Sequence, residues 1–163
     1  MTGDLREARS RGQHALTLAE AVGDFRVQAS ATFCLGAACL ALGNYRRAEE
    51  LLVKAAQSAE GELIRERFGA GYLAVFCRWA LVFALVDRGA FEEGIAHAQE
   101  GVRIARAVEH PYSMSIASQA LAYLYAGKGE LSQAVSLLES DLALIREYNL
   151  TILVLPGLVW VRN

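Results

Sequence analysis

Four glycine turns recur along this chain at nearly equal intervals, and they confine it to a stack of helix pairs. Gly3, Gly43, Gly89 and Gly129 are spaced 40, 46 and 40 residues apart. Each opens a similar step: Gly3-Asp4-Leu5, Gly43-Asn44-Tyr45, Gly89-Ala90-Phe91 and Gly129-Glu130-Leu131. Three residues beyond the large apolar side chain stands a small one, at Ala8, Ala48, Gly94 and Ala134. A second mark lies 19 residues after three of the glycines, at Val22-Gly23-Asp24, Val108-Glu109-His110-Pro111 and Tyr148-Asn149-Leu150. A fixed period of this length marks units that cannot bury their apolar faces alone and must stack on their neighbours.

Each unit reads as a helix, a glycine turn, a second helix and a polar turn. Glycine supplies the positive φ that ends one helix, and the Asp or Asn after it caps the next. Gly36, Ala48 and Ala55 let paired helices approach, while Leu35, Tyr45 and Leu52 fill the space between them. The middle unit carries six extra residues around 60–71, expected as a longer loop. The chain therefore divides into a half-hairpin at 1–22, repeats at 24–60, 70–108 and 111–148, and the start of a further helix at 151–163. The expected fold is a single all-α domain, an antiparallel helix-hairpin solenoid of about seven or eight helices.

Composition agrees. The chain is 54% hydrophobic with only two prolines, which favours helix and excludes disorder. A net charge of −2 gives no field for nucleic acid. Arg outnumbers Lys by 14 to 2, but the arginines alternate with acids, as in Arg46-Arg47-Ala48-Glu49-Glu50, and read as solvated helix faces. Residues 68–86 are apolar enough to raise the question of a membrane span. Arg78 near the centre would cost roughly 2.5–3.5 kcal/mol there, and the repeat register makes this segment a stacked helix instead. Cys34, Cys39 and Cys77 contain no CxxC pair and are expected as small core residues in a reducing, cytoplasmic setting.

Catalytic motifs are not found. Gly127-Lys128-Gly129-Glu130 is a helix-connecting turn, not a phosphate loop. His14 and His97 fall on second helices and His110 precedes Pro111 at a turn, none with a ligand partner at metal spacing. Glu92-Glu93 follows a helix start, where backbone dipoles favour negative charge. The chain is expected to be no enzyme and to hold no cofactor or metal.

The segment Thr32 through Cys39, with Leu35-Gly36, then Gly43, Tyr45, Ala48, Leu52 and Ala55, resembles a tetratricopeptide repeat. Leu81, Gly89, Phe91 and Gly94 repeat the pattern, as do Leu121, Tyr125, Gly129, Ala134 and Leu138. Thr32, Cys39, Glu60 and Asp141 depart from it. Units of about 40 residues are similar to the C-terminal regions of bacterial nucleotide cyclases fused to an ATPase, and of ATP-dependent LuxR-type regulators. Ile64-Arg65-Glu66-Arg67-Phe68-Gly69 and the stretch from Ala107 through His110-Pro111 to Ser113 look most like the cyclase-linked group.

The resemblance implies a right-handed superhelix whose first helices line a concave face. On that face it places Phe33, Phe76, Trp79, Phe83, Gln119 and Tyr123. These imply a non-catalytic interaction or sensory module of a larger signalling or transcription regulator, with a protein, peptide or small effector as partner. Trp79 and Phe83 are the expected centre. The alternative is a structural homo-oligomerisation unit or stand-alone adaptor. Neither nucleic acid nor membrane is an expected partner of this segment. The chain begins and ends in mid-repeat, and Ile152, Leu155 and Trp160 are an expected end interface, through which a homodimer could form.

Overall fold

The structure, a computed structural model, describes residues 5–150 and Leu153. Within them the fold is all-α. The helices are α1 (Leu5–Val22), α2 (Phe25–Ala41), α3 (Tyr45–Ser58), α4 (Leu73–Asp87), α5 (Phe91–Ala107), α6 (Pro111–Gly127) and α7 (Leu131–Glu147). Turns of two or three residues join all of them except α3 and α4, so consecutive helices run antiparallel.

One turn accounts for most of this regularity. At the ends of α2, α4, α5, α6 and α7 the chain makes the same paired closure. After α2, the Gly43 N–H donates to the Leu40 carbonyl and the Asn44 N–H to the Cys39 carbonyl, both at 2.9 Å. Gly89/Ala90, Glu109/His110, Gly129/Glu130 and Asn149/Leu150 repeat this pattern, which satisfies carbonyls a helix end would leave unpaired. The first residue of each pair has positive φ: 72° to 82° at the three glycines, 49° at Glu109 and 54° at Asn149. After α2, α4, α5 and α6 the second residue is also the N-cap of the following helix. Asn44 and His110 cap with their side chains, as does Asp24 before α2, whereas Ala90 and Glu130 do not.

The connection after α3 departs from this turn and from the expected loop. Residues Gly61–Arg65 form a 3₁₀ turn, followed by a short hairpin of β1 (Arg67–Phe68) and β2 (Gly71–Tyr72), paired Arg67 to Tyr72 and Phe68 to Gly71. So α4 begins at Leu73, and the apolar run at 68–86 is part hairpin, part helix. No helix among the described residues is long and apolar enough to cross a membrane.

Helix α4 is the centre of the packing. It contacts α3, α5 and α6 extensively and α2 lightly, and Leu73, Ala74, Cys77, Ala80, Leu81, Val82 and Ala84 are completely buried. A helix apolar on all sides is stable only when surrounded. Its one charge inside, Arg78, is 3% exposed. The guanidinium donates to the Ala74 carbonyl at 3.1 Å and to Glu60 Oε1 at 2.9 Å, tying the end of α3 to α4. Cys39 and Cys77 are buried as expected, with burial pushing the Cys77 thiol up to about 12, but Cys34 is exposed. An apolar helix pattern does not tell which face of α2 a neighbour covers.

Close approach of helices depends on missing side chains. A Cβ on Gly36 would lie 2.8 Å from Leu52 Cγ, and Leu52 is fully buried. Gly101 of α5 differs, since its Cβ would meet only Arg78 Cβ at 3.6 Å. Overpacking costs about 1–3 kcal/mol, more than the ~1 kcal/mol that Ala gains over Gly in a helix. Gly36→Ala is expected to lower the urea midpoint, and Gly101→Ala to raise stability by about 0.5–1 kcal/mol. Equal midpoints for the two variants would contradict this packing.

Candidate partner-binding face

The aromatic residues expected on the first-helix face do come together, but in two groups. Phe83 of α4 stacks on Tyr123 of α6, with ring centroids 4.1 Å apart and planes within 7°, and Trp79 tilts against Phe83 at 4.9 Å. The Tyr123 hydroxyl donates to Asp87 Oδ1 at 2.7 Å. Burial and this bond raise the phenol well above its ordinary value, so it stays a donor. The bond and the stack both cross from α4 to α6 and hold the ring in place. Spacings of three and four residues set Phe76, Trp79, Phe83 and Asp87 along one side of α4.

The second group is built by the hairpin. Phe68 packs edge-on against Phe33 of α2 at 5.0 Å and against Phe76 of α4 at 5.7 Å. Phe33 and Phe76 are 6.1 Å apart, and Tyr112 of α6 lies 6.1 Å from Phe76. Phe68 is thus a wedge between α2 and α4, and it covers this end of the face.

Burial separates lining from backing. Phe33, Phe83 and Gln119 are 6–7% exposed. Phe76, Trp79 and Tyr123 are half-buried, and Asp87 is exposed. The accessible part is therefore Phe76, Trp79 and Tyr123, the last two beside Asp87, with Phe83 behind them. The Trp79 indole N–H is buried without a hydrogen-bond partner, a state that native side chains seldom keep.

Gln119 looks inward. Its amide donates to Ser115 Oγ at 3.2 Å and to Asp141 Oδ2 at 3.1 Å, joining α6 to α7. Burial raises the Asp141 carboxyl above its ordinary value, against the lowering effect of bonds from Ser115 and Gln119, and its Oδ1 has no partner. Asp87, Phe68 and this network were not legible as parts of the face. Asp141 carried the one available signal, an acid at a position that suits a small residue.

The hairpin also docks on α6 through His110. Its Nε2 lies 3.1 Å from Arg67 Nη1 and its Nδ1 3.1 Å from Ser113 Oγ, while the Tyr72 N–H donates to the same Oγ at 3.3 Å. Arg67 also lies over the Tyr72 ring, 4.9 Å from its centroid, and the His110 ring meets Tyr72 edge-on. A guanidinium and a backbone N–H only donate, and a neutral imidazole has one acceptor nitrogen. The ring therefore accepts either from Arg67 at Nε2 or from the Ser113 N–H at Nδ1, and each of these bonds requires it uncharged. Of the other two histidines, His14 is exposed, and His97 is half-buried with its value lowered by burial and by Arg78. Among the described residues no group of three or more His, Cys, Asp or Glu could hold a metal ion. Ile152, Leu155 and Trp160, the expected end interface, lie outside the described residues.

The chain matches no protein-family model and no curated protein sequence.

Burial and the nearby Arg67 lower the His110 value below its usual 6.5. A lowered value means the fold prefers the neutral ring, so its contribution is full above about pH 6.5 and lost as pH falls through the folded value. Thermal melting from about pH 7.5 to 5 should therefore weaken the wild-type chain more than His110→Asn, which keeps a capping side chain. Parallel curves for the two would show that His110 does not link the hairpin to pH.

Proposed function

We infer that the chain is a non-catalytic interaction module that grips an apolar peptide or helix on the α4–α6 face, at Trp79 and Tyr123. The observation that carries this reading is the half-buried aromatic surface held by the Phe83–Tyr123 stack and the Tyr123–Asp87 bond. A rigid aromatic anchor loses little entropy on binding, and aromatic residues dominate binding hot spots. The buried, unpaired Trp79 N–H supports the choice of centre, because a small rotation would offer this donor to a partner carbonyl. Asp87 at the rim favours a partner with a basic group beside its apolar anchors.

The tetratricopeptide resemblance adds a setting: a piece of a larger cytoplasmic signalling or transcription regulator, similar to those of bacterial cyclase–ATPase and LuxR-type proteins, passing a binding event to an output domain. A second reading, homo-oligomerisation, is favoured by the large apolar side chains exposed at both flanks of the described stack. Val22 and Phe25 are 79% and 75% exposed at the α1–α2 turn, and Leu131 and Val135 are 62% and 50% exposed on α7. Such unlike surfaces suit a head-to-tail contact.

Selecting displayed helical peptides against the purified chain separates the readings. Peptides with aromatic or aliphatic anchors are expected, and Trp79→Ala and Tyr123→Ala should each weaken them by about tenfold or more, some 1.4 kcal/mol. Unchanged affinity in folded variants would remove the face from consideration. Light scattering across a concentration series should give a monomer under this reading; a reversible oligomer dispersed by Phe25→Ser and Leu131→Ser would favour the second.

A further inference from the structure

On the side of α2 away from Phe33, a cleft of about 590 Å³ opens between α1 and α3. Its floor is Leu35 and Cys39 of α2 with Leu51 of α3, and its walls carry Arg9 and His14 from α1 and Asn44 and Arg47 from α3. Leu35 follows Phe33 by two residues, about 200° round the helix, so this cleft is separate from the aromatic face.

Arg9 and Arg47 are the arginines of the cleft lining, and the second is paired at the outer edge. No Asp or Glu lines the cleft. Arg9 makes no ion pair or hydrogen bond among the described residues, while Arg47 bonds Glu50 at 2.8 Å on the exposed side of α3. Arg9 reaches the cleft from α1 and Arg47 from α3, and Cys39 of α2 lines it between them. Arg46 and Arg47 also occupy the first turn of α3, which has no acid, although the helix dipole disfavours cations there. The first turn of α5 carries Glu92 and Glu93 instead. The α3 arrangement gives up a little helix stability, and an anion in the cleft would recover it.

We propose that this cleft binds a small organic oxyanion, a phosphate or carboxylate on a short apolar stem. The anionic end lies between Arg9 and Arg47, whose guanidinium forks match oxyanion geometry, and the stem lies on Leu35 and Leu51. The volume is within the range of small-molecule sites. Polar side chains of Ser10, Gln13 and Asn44 in the walls supply further donors.

Phenyl phosphate and phenylacetate are suitable probes for the two oxyanion classes, with phenol as the uncharged control. Titration of the whole chain, followed by amide chemical shifts and calorimetry, should show saturable binding of at least one anion. The shifts should centre on Gln13, Cys39 and Asn44, and phenol should leave them unmoved. The pair Arg9→Gln and Arg47→Gln should weaken binding by about tenfold or more, with the circular dichroism of the chain unchanged because both side chains are exposed. Trp79→Ala should leave it intact, which separates this site from the aromatic face. The absence of saturable shifts with both anions would overturn the proposal, as would equal binding by the double variant.

Discussion

A single backbone closure sets the geometry of this protein. Its first residue takes positive φ and its second receives the helix end while starting the next helix. Because the closing residue and the opening residue are the same, there is no slack between helices to vary the angle. Repeating this closure after α2, α4, α5 and α6 repeats the hairpin. Glycine makes it without strain at three of these positions, and Glu109 makes it at some cost, since an L side chain in the left-handed region is disfavoured by roughly 1–2 kcal/mol. The order of helices survives that cost because the neighbours on both sides already hold the turn in place.

The one place that abandons the closure shapes the candidate site. After α3 the chain makes a 3₁₀ turn and a hairpin, and α2 and α4 then meet only lightly, whereas α4 and α6 pack along each other. Phe68 enters the gap between Phe33 and Phe76. Arg78, buried in α4, holds the start of this insertion through Glu60, Arg26 reaches Glu66 at 3.5 Å, and His110 receives Arg67 at the other end. The insertion is therefore tied to α2, α4 and α6 at once. It packs against one end of the aromatic face, whose half-buried part is Phe76, Trp79 and Tyr123.

Much of this was readable from residue order because it is local. Helix stops at Gly43, Gly89 and Gly129 and caps at Asp24 and Asn44 follow from backbone sterics and hydrogen bonding within a few positions. The aromatic residues of α4 were expected on one face through the tetratricopeptide resemblance, and their spacing of three and four residues is consistent with it. Cys34 was misjudged, since an apolar pattern identifies a buried stripe but not its edges. The insertion was misjudged for a different reason: a hairpin of two residues per strand has no alternation long enough to register, and its pairing is stabilised by contacts with α6.

The sequence by itself determined the helices, their turns and the all-α stack, because periodicity and turn chemistry act between residues near one another in the chain. Only the tertiary structure decided which side chains of the aromatic face are open and which are backing. It also decided that Asp87 orients Tyr123, that Gln119 turns inward to Asp141, and that Arg9 and Arg47 line one cleft with Cys39. Those outcomes join residues tens of positions apart through burial and hydrogen bonding, and no local preference of any one residue encodes them.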